Sequence, residues 1–340
     1  MKIGIVGASG YSGGELIRIL SSHPKFDIEY LAAASNAGER VTSVHPQLVH
    51  FNHAVFEETS IESMKRCDLL FFALPHGASA ELIAQLPEDI KVVDLGADFR
   101  LENGAAWQKY YGGTHAGSLP YGLPELPGAR ALIAQSPRIA NPGCYATAIS
   151  LGALPAISHG LIDASDIVVV AASGTTGAGR SAKVNLIGSE VMSSLSSYKF
   201  GGVHQHTPEI EQALSHVSGA PVKISFTPIL APMPRGILAT ITAKLKSSVD
   251  TQKAYEIFSG VYEDEEFVHL LPMGVMPQTA AVTGSNSVHL QVAVDAHTNR
   301  LIVSVAIDNL GKGAASQAIQ NANIMCGFPE NMGLSSQGVR

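Results

Sequence analysis

The sequence has little of what several large classes of protein require. Charged residues make up only 15% of the 340 residues, and 22 Lys+Arg against 29 Asp+Glu give a formal net charge of −7. Because the basic residues form no cluster, we expect neither a nucleic-acid partner nor binding to an anionic membrane. The longest apolar runs, such as 69–74 and 167–172, are too short to cross a bilayer. Met1 and Lys2 lead directly into a strand-like segment, so we expect no signal peptide.

Cysteine is also scarce. The three cysteines, Cys67, Cys144 and Cys326, form no Cys-x-x-Cys pair and no disulfide framework, which favours a reducing compartment, the cytoplasm. The apolar fraction of 46% is sufficient for a full core, and the length predicts two domains.

The first half of the chain alternates short apolar runs with segments of helical spacing. We predict strands at 2–6, 27–34, 68–74 and 91–95, and helices at 13–22 and 78–86. Residues 102–137 are rich in Gly, Pro and aromatic residues and are predicted to form a long loop. Alternation of strand and helix predicts a parallel sheet with helices on both faces.

The second half of the chain has a different pattern of predicted strands and helices. Strands are predicted at 166–171, 222–230, 237–245, 288–295 and 301–308, and helices at 251–262 and 312–325. With few helices between the strands, this half predicts a mixed or antiparallel sheet that has one solvated or partner-facing side.

A glycine motif follows the first predicted strand. Its residues are Gly7, Ala8, Ser9, Gly10, Tyr11, Ser12 and Gly13. Glycines at such a turn let the backbone approach a pyrophosphate, which then lies at a helix N-terminus. The spacing is Gly-x-x-Gly-x-x-Gly, so a mere tight turn is the alternative. The position at the start of an alternating pattern favours dinucleotide binding.

The type of dinucleotide can be argued from the end of the second strand. An acidic residue at that point would bind the ribose 2′-hydroxyl of NAD. Here Ser35 and Asn36 stand at the strand tip, and Arg40 follows shortly after. An arginine attracts a 2′-phosphate, so the segment favours NADP(H), although Glu39 weighs against it.

Cys144 is the candidate nucleophile. It follows Asn141, Pro142 and Gly143 and precedes an Ala/Leu/Ile run of helical character. A cysteine in the first turn of a helix faces N–H groups and the positive end of the dipole, which favour the thiolate. The same N–H groups can hold an oxyanion. The alternative is a buried structural cysteine, as we expect for the other two.

His204 and His206 are the candidate bases. Thr207 as N-cap and Pro208 as first helical residue predict a helix start directly after them. A His-x-His pair can also bind a metal, but no further ligands lie nearby at ligand spacing. A second histidine cluster, comprising His45, His50 and His53, is interpreted as structural or peripheral.

Three arginines could bind an anionic substrate. Arg100 stands just past a strand end, Arg180 follows the glycine-rich Gly177–Gly179, and Arg235 lies between Pro234 and Gly236. Guanidinium groups beside glycine amides favour phosphate or carboxylate. A surface ion pair is the alternative for each of them.

Together these motifs resemble a known family. The glycine motif, the Asn141–Tyr145 segment, Ser173–Arg180, the His-x-His segment His204–Ile210, Pro234–Leu238 and Asp308–Ala314 occur in the same order in the N-acetyl-gamma-glutamyl-phosphate reductases. These are the arginine-biosynthesis members of the semialdehyde dehydrogenase group. The resemblance extends from Met1 to about Phe328, with small departures at Gly96, Thr175 and Thr176.

The resemblance implies a two-domain α/β fold. A Rossmann-type parallel-sheet domain, residues 1–143 and 310–340, is completed by the C-terminal helix. Residues 144–309 form an α+β mixed-sheet domain for catalysis and oligomerisation. The implied assembly is a homo-oligomer, either a dimer or a tetramer.

The resemblance also implies an activity and its site. NADPH reduces N-acetyl-glutamyl phosphate to the semialdehyde with release of phosphate, through a thioester on Cys144, and His206 transfers the proton. No metal is implied. The implied cofactor-binding residues are Gly7, Ser9, Gly10, Tyr11, Ser12, Gly13, Ser35, Arg40, Gly177, Asn309 and Lys312, and the implied substrate-binding residues are Arg100, Asn141, Arg180 and His204.

Two other functions remain open from the sequence. A reductase of a related acyl phosphate, aspartyl or carrier-linked, would share the chemistry, although a carrier protein calls for a basic face that is lacking. A non-catalytic NADP sensor would have no need for both the helix-start cysteine and the histidine pair.

Overall fold

The computed structural model describes residues 1–339, and they divide into two compact units. The first unit comprises Met1–Pro124, Gly128–Pro142 and Ala314–Leu334. The second comprises Glu125–Pro127, Gly143–Gly313 and the segment from Ser335 onward. The sequence assigned residues 310–340 to the first domain as one piece. In the structure, Ala314 begins the return to the first unit, and the chain leaves it again after Leu334.

A five-stranded parallel sheet forms the first unit. Its strands are β1 (Lys2–Val6), β2 (Asp27–Ala32), β3 (Leu69–Phe72), β4 (Lys91–Asp94) and β5 (Arg138–Ala140), in the order β2-β1-β3-β4-β5. Each neighbouring pair is parallel, which confirms the predicted sheet. All four residues of β3 are buried, as expected of a strand that is covered on both faces. The short strand β5 was not predicted.

Short helices connect these strands. They are α1 (Tyr11–Leu20), α2 (Val41–Val44), α3 (Ile61–Met64), α4 (Ala80–Ile83), α5 (Gly104–Tyr110) and α6 (Ala129–Gln135), and Val49–Phe51 forms a 3₁₀ turn. Helix α1 buries Leu16, Ile17 and Leu20, the apolar face that the spacing predicted.

Two predictions for this unit were wrong. Residues 102–137 do not form one loop, because α5 and α6 lie within them. Helix α5 is capped by Asn103, whose side chain accepts hydrogen bonds from the N–H groups of Ala105 (2.9 Å) and Ala106 (3.2 Å). The helix predicted at 78–86 is a single turn, α4. The Asp98 carboxylate accepts hydrogen bonds from the N–H groups of Ser79 and Ala80, both at 3.1 Å.

A seven-stranded mixed sheet forms the second unit. Its strands are β6 (Ile162–Ser173), β7 (Ser196–Ser197), β8 (Ile224–Leu230), β9 (Ile237–Leu245), β10 (Val268–Leu270), β11 (Val288–Asp295) and β12 (Arg300–Ile307). The order is β10-β11-β12-β9-β6-β8-β7, with β10–β11 and β6–β8 parallel and the other pairs antiparallel. The prediction of a mixed sheet is therefore confirmed.

The helices of this unit are α7 (Cys144–Ser158), α8 (Gly188–Val191), α9 (His206–Ser218), α10 (Thr251–Tyr262) and α11 (Thr279–Val282). Helix α7 is buried from Tyr145 to Ile157, because it packs against α9, α10 and the sheet. It approaches the sheet closely at Gly152, where a Cβ would come within 2.5 Å of Ile241 and 2.6 Å of Val305. Helix α7 is thus a central, rigidly packed element, and Cys144 is its first residue.

One face of the sheet is exposed. Val168 and Val170 of β6 and Leu238 of β9 have 36%, 43% and 37% of their surface accessible. Their neighbours along each strand, such as Val169 and Ala239, are buried. This alternation is the one-sided pattern that the sequence predicted. Among the residues described, no helix has the length and apolar character needed to cross a membrane.

The chain returns to the first unit through an unusual turn. Gly311–Ala315 forms a π-helical turn, and helix α12 (Ser316–Met325) follows it directly. The single helix predicted at 312–325 therefore begins at Ser316 instead. Helix α12 packs against α1, α6 and β4, so a C-terminal helix completes the first unit.

Candidate active site

Cys144 stands at the start of a buried helix, as the sequence predicted. It is the first residue of α7, with Gly143 as the extended N-cap residue, and its side chain is half-buried. The first-turn N–H groups of a helix have no partner within the helix and carry the positive end of its dipole. A thiolate or an oxyanion at this position is therefore stabilised.

A buried carboxylate holds the residue before the cysteine. Glu209 of α9 is fully buried, and its Oε1 accepts a hydrogen bond of 2.7 Å from the N–H of Gly143. The carbonyl of Gly143 in turn accepts from the N–H of Thr147 (2.9 Å) and its hydroxyl (3.1 Å). Glu209 thus joins α9 to the start of α7. Sequence reasoning included this glutamate in a motif but gave it no role.

The π-helical turn packs against the other side of Cys144. A Cβ on Gly313 would come within 2.8 Å of the Cys144 Cβ. Gly313 donates its N–H to the carbonyl of Asp308 at 2.9 Å, which closes the turn. Only glycine allows so close an approach. The position of Cys144 is therefore set by two different segments of the second unit.

The two candidate histidines lie at the start of α9, which packs against α7. Their ring centroids are 5.0 Å apart. The ring of Tyr145, the residue after Cys144, lies edge-on to both, with centroids 5.4 Å from His204 and 6.1 Å from His206. The structure therefore brings the histidine pair to the first turn of the cysteine helix.

His204 is held in a neutral state. Its Nδ1 accepts a hydrogen bond of 3.0 Å from the N–H of His206, so its hydrogen is on Nε2. Burial, reinforced by the nearby His206 and Lys199, lowers the pKa of His204 to about 3. The N-cap prediction was wrong here. The helix begins at His206 with Gln205 as its N-cap residue, and Thr207 lies inside the first turn.

Two tyrosines complete this cluster. The Tyr198 hydroxyl donates to the Tyr145 hydroxyl at 3.0 Å. Burial raises the pKa of Tyr198 to about 12, and the charge of Cys144 adds to the increase. Burial also raises the pKa of Tyr145 far above its usual range. Both phenols therefore keep their protons beside Cys144. Sequence reasoning missed Tyr198, since a lone tyrosine between two glycine-containing loops carries no recognisable signal.

Asn309, a predicted cofactor contact, joins two loops of the second unit. Its Oδ1 accepts from the N–H of Gly236 (2.7 Å), and its Nδ2 donates to the hydroxyl of Thr176 (3.0 Å). Thr176 lies in the 3₁₀ turn Thr175–Ala178, which contains Gly177. Arg180 follows this turn and is exposed. The amide of Asn309 thus fixes the loop that presents Gly177 and Arg180.

Lys312, another predicted cofactor contact, lies in a buried ion pair. Its Nζ is 2.6 Å from Oε1 of Glu125, and both side chains are almost completely inaccessible. The ammonium also lies 5.8 Å from the ring centroid of Phe267. The neighbouring Asp308 is equally buried and forms an ion pair with Arg235 at 2.6 Å. Asp308 precedes the π-helical turn and Lys312 is its second residue, so these two pairs hold the start of the turn against which Cys144 packs.

The glycine motif has the predicted geometry in the first unit. Gly7 has φ +87°, and a Cβ there would come within 2.4 Å of the Ala73 carbonyl. A Cβ on Gly13 would come within 2.4 Å of the Gly7 carbonyl. Gly10 is the N-cap residue of α1, which begins at Tyr11. The motif is therefore a tight strand-to-helix turn at a helix N-terminus, the arrangement that accommodates a pyrophosphate.

The predicted 2′-phosphate contacts lie past the end of β2. Ser35 and Arg40 are exposed. Glu39, the residue that weighed against NADP(H), accepts a hydrogen bond of 3.1 Å from Asn36 Nδ2. The exposed guanidinium of Arg40 leaves the segment suited to a phosphate.

Arg100 and Asn141, two predicted substrate contacts, are buried and joined to each other. The guanidinium of Arg100 donates to the carbonyls of Asn141 (2.8 Å) and Leu95 (2.7 Å). Asn141 accepts on Oδ1 from Asn321 (2.9 Å) and donates Nδ2 to the carbonyl of Ala314 (3.3 Å). These contacts fix the segment that leads to Cys144. Within residues 1–339, no group of three or more metal-ligating side chains is present.

Comparison with known proteins identifies the family of this chain. Residues 2–135 match the family model described as semialdehyde dehydrogenase, NAD binding domain, and residues 144–309 match the model described as semialdehyde dehydrogenase, dimerisation domain. The chain therefore belongs to the semialdehyde dehydrogenase family. The second match begins at Cys144, the first residue of α7.

Curated relatives locate the chain more narrowly within that family. A protein of Acidothermus cellulolyticus is 59% identical over 99% of this chain and 98% of its own length. A protein of Frankia casuarinae is 54% identical and one of Pseudarthrobacter chlorophenolicus 52% identical, each over 100% of this chain and 99% of its own length. All three are named N-acetyl-gamma-glutamyl-phosphate reductase.

Solved structures share the fold at low sequence identity. Aspartate semialdehyde dehydrogenase II from Vibrio cholerae, complexed with ASA, has a TM-score of 0.70 at 18% identity, covering 96% of this chain and 98% of that chain. The Candida albicans enzyme with NADP has a TM-score of 0.71 at 17% identity, covering 97% and 99%. The likeness confirms the two-part α/β fold.

Proposed function

We propose that the protein catalyses the NADPH-dependent reduction of N-acetyl-L-glutamyl 5-phosphate to N-acetyl-L-glutamate 5-semialdehyde with release of phosphate, as a step of arginine biosynthesis. The proposal rests mainly on the position of Cys144 in the first turn of α7. Glu209 binds the N–H of Gly143 there, and the two histidines lie beside Tyr145. The names of relatives that are 52–59% identical support the choice of substrate.

The first half of the reaction is acyl transfer to Cys144. The Sγ thiolate attacks the carbonyl carbon of the acyl phosphate and forms a C–S bond. As the tetrahedral oxyanion collapses, the C–O bond to phosphate breaks and inorganic phosphate leaves. The first-turn N–H groups of α7 stabilise this oxyanion. The product is a thioester, a better hydride acceptor than a carboxylate.

The second half requires a proton carrier, and we assign this role to His206. When bound, NADPH supplies a hydride to the thioester carbon. His206 protonates the resulting hemithioacetal oxygen as it forms and takes the proton back as the C–S bond breaks. His204 is the poorer choice because its Nδ1 is occupied by the His206 N–H and its pKa is lowered to about 3. We assign His204 to orientation of this segment and to contact with substrate.

The nucleotide would be held by the first unit. The turn at Gly7 and Gly13 leaves no room for a Cβ at either position. This backbone brings the pyrophosphate to the N-terminus of α1, with Ser9, Gly10, Tyr11 and Ser12 around it. Ser35 and Arg40 would hold the 2′-phosphate, which is the basis for proposing NADP(H).

Substrate anions require cationic or amide partners. Arg180 is exposed beside Gly177, so we assign it to the substrate phosphate or carboxylate. Arg100 and Asn141 are buried and hydrogen-bonded to each other and to neighbouring groups. We propose that they affect substrate binding mainly by fixing the chain segment that precedes Cys144. We assign Asn309 and Lys312 to the nicotinamide end, Asn309 through the loop of Gly177 that it fixes and Lys312 through the turn beside Cys144.

The test is an assay in the oxidative direction with purified protein. N-acetyl-glutamate semialdehyde, phosphate and NADP⁺ should yield NADPH, whereas aspartate semialdehyde at the same concentration should be oxidised at least about a hundredfold more slowly. Cys144→Ser should abolish the reaction. Preference for aspartate semialdehyde would support the related acyl-phosphate reductase, and no turnover with either aldehyde despite nucleotide binding would support the sensor.

We also propose that the protein is a homo-oligomer in the cytoplasm. The matched model is described as a dimerisation domain, and the exposed valine and leucine side chains of β6 and β9 offer an apolar sheet face to a second copy. The three free thiols are compatible with a reducing compartment. Sedimentation velocity should show a dimer or tetramer; a monomer at micromolar concentration would contradict the assembly.

A further inference from the structure

His45 lies beneath the glycine motif of the first unit. It is 37 residues away from Ala8 in sequence, yet its Nε2 lies 2.9 Å from the Ala8 carbonyl oxygen. A carbonyl oxygen only accepts, so Nε2 carries the hydrogen and donates it. The side chain is 4% exposed, so this hydrogen bond is shielded from water.

The imidazole also occupies space that a side chain would otherwise fill. A Cβ on Gly14, in the first turn of α1, would come within 2.5 Å of His45 Cε1 and 2.7 Å of its Nδ1. The ring also meets the ring of Phe56 in a T-shaped contact, with centroids 6.2 Å apart. The ring is therefore enclosed between α1 and the segment that follows α2.

The backbone of His45 is fixed as well. Its N–H donates to the Val41 carbonyl at 2.8 Å, and its carbonyl accepts from the Leu48 N–H at 3.0 Å. The imidazole thus has a rigid base from which to act on the glycine motif.

The peptide groups around Ala8 are held from two sides. The N–H groups of Gly7 (3.0 Å) and Ala8 (2.8 Å) both donate to the Ala32 carbonyl at the end of β2. The Ala8 carbonyl is turned to His45. Because a trans peptide is planar, the N–H of Ser9 then points away from the imidazole. The direction of this amide, at the tip of the turn, is set by His45.

We propose that His45 is a positioning residue for the dinucleotide. Its Nε2–H fixes the Ala8–Ser9 peptide so that the Ser9 amide is oriented toward the pyrophosphate, and Gly14 is a glycine to admit the ring. The inference rests on the proposed function, since it needs a nucleotide at this turn. His45 does not contact the reacting atoms and should act on nucleotide affinity alone.

The test compares His45→Phe, which keeps a ring and loses the donor, with His45→Gln, which keeps an N–H donor. The matched control is His53→Phe, an exposed position in the same loop region. The dissociation constant for NADPH, measured by fluorescence titration, should rise about tenfold or more in His45→Phe, remain within about threefold of wild type in His45→Gln, and not change in the control. The KM for the aldehyde substrate should not change in any of them.

Gly14→Ala supplies a second test that leaves His45 in place. Its Cβ must displace the imidazole, so NADPH binding should weaken as in His45→Phe. If His45→Phe or Gly14→Ala had a lower melting temperature but bound NADPH as tightly as wild type, His45 would be merely structural and the inference would be overturned. Equal KM increases for aldehyde and nucleotide would overturn it too. If the wild-type protein bound no nicotinamide nucleotide, the proposed function itself would be overturned. That outcome differs from a variant that binds NADPH as tightly as wild type, which would overturn only the role of His45.

Discussion

The carboxylate of Glu209 accepts a 2.7 Å hydrogen bond from the N–H of Gly143, one residue before Cys144, the proposed nucleophile. Glu209 belongs to α9 and Gly143 to the N-terminus of α7, so one buried contact sets the distance between the cysteine helix and the histidine helix. A carboxylate near a helix N-terminus also stabilises the helix electrostatically. Catalytic geometry and helix capping depend here on the same side chain.

Glu209→Ala should impair the enzyme more than Glu209→Gln. Alanine leaves the buried Gly143 N–H without its acceptor, which costs about 1–3 kcal/mol in the free energy of unfolding. Glutamine keeps an amide oxygen in the same place. We expect kcat to fall at least about tenfold in Glu209→Ala, with urea denaturation showing the stability loss. Wild-type kcat in the alanine variant would show that the contact does not position Cys144.

Alkylation should distinguish the three cysteines. Burial raises the pKa of Cys67 to about 11 and also raises the pKa of Cys326, so both remain thiols at neutral pH. Iodoacetamide reacts with thiolates, and Cys144 is half-buried at a helix start. Peptide mapping should therefore find label on Cys144, and activity should fall in step with labelling.

The control for that experiment is Cys326→Ser, which should keep both the activity and the labelling of Cys144. Labelling of Cys67 or Cys326 at the same rate as Cys144 would contradict the assignment of the nucleophile. Protection of Cys144 by the acyl-phosphate substrate would link the thiol to the binding site.

Local signals were enough to predict the two sheets, the glycine turn and the helix that begins at Cys144. A Pro-Gly-Cys sequence ahead of an Ala/Leu/Ile run predicts where the helix begins, because residues that end a helix stand directly before residues that favour one. The error at 102–137 has the opposite origin. The flanking glycines and prolines obscured two runs of helix-forming residues, 104–110 and 129–135, although Asn103 is a local N-cap signal for the first of them.

The less predictable part of the site consists of long-range buried contacts. Lys312 was predicted as a cofactor contact on the basis of its charge, but its partner Glu125 is 187 residues away in sequence. His45 was interpreted as structural or peripheral because no carboxylate or cysteine accompanies its cluster, and its partner in the structure is a main-chain group, the Ala8 carbonyl. Glu209 likewise meets a main-chain group, the N–H of Gly143, and Tyr198 meets Tyr145, which is 53 residues away in sequence. A sequence pattern shows which groups are reactive, whereas the fold decides which of them meet.

The buried pair of Lys312 and Glu125 should be sensitive to loss of one partner. Glu125→Gln leaves an ammonium buried without a counter-charge, which costs about 3–5 kcal/mol in the free energy of unfolding. The double variant Lys312→Met with Glu125→Leu removes both charges and should recover most of that loss. Urea denaturation measures both effects.

The same variants test the predicted role of Lys312 toward the cofactor. If the ammonium contacts the nicotinamide end, the double variant should bind NADPH more weakly than wild type even after its stability has recovered. Unchanged affinity in the double variant would limit Lys312 to holding the turn beside Cys144.

Acid should destabilise the protein partly through His204. Its pKa is about 3 in the folded state and 6.5 in the reference state, so the unfolded chain binds the extra proton between these values. The free energy of unfolding therefore falls as pH drops below 6.5, by at most about 1.4 kcal/mol per pH unit from this group. His204→Gln should lose less stability than wild type over this range, as measured by urea denaturation at several pH values. An identical pH dependence would show that His204 is not buried in its neutral form.

Measurements of kcat should distinguish the roles of His204 and His206. Removal of a positioned acid–base group typically costs about a hundredfold to ten-thousandfold in rate, so His206→Ala should lose at least about a hundredfold in kcat. His204→Gln keeps an acceptor near the His206 N–H and should lose less. A change below about tenfold in His206→Ala, together with inactivity of the His204 variant, would reverse the assignment.

The preference for NADPH over NADH should depend on Arg40. This side chain is exposed past the end of β2, where Glu39 is engaged by Asn36, so the guanidinium is the charge that a 2′-phosphate would meet. Arg40→Glu replaces attraction with repulsion, and loss of a charge-assisted contact of this kind is worth about 1.5–3 kcal/mol, or roughly tenfold to a hundredfold in affinity. The ratio of kcat/KM for NADPH to that for NADH should fall by this factor, with kcat/KM for NADH unchanged or raised.

Arg66→Glu, on the same unit but paired with Glu57, is the matched control and should leave the ratio as it is. An unaltered ratio in Arg40→Glu would mean that the 2′-phosphate is recognised elsewhere or not at all, and NAD(H) would then be the better choice of cofactor.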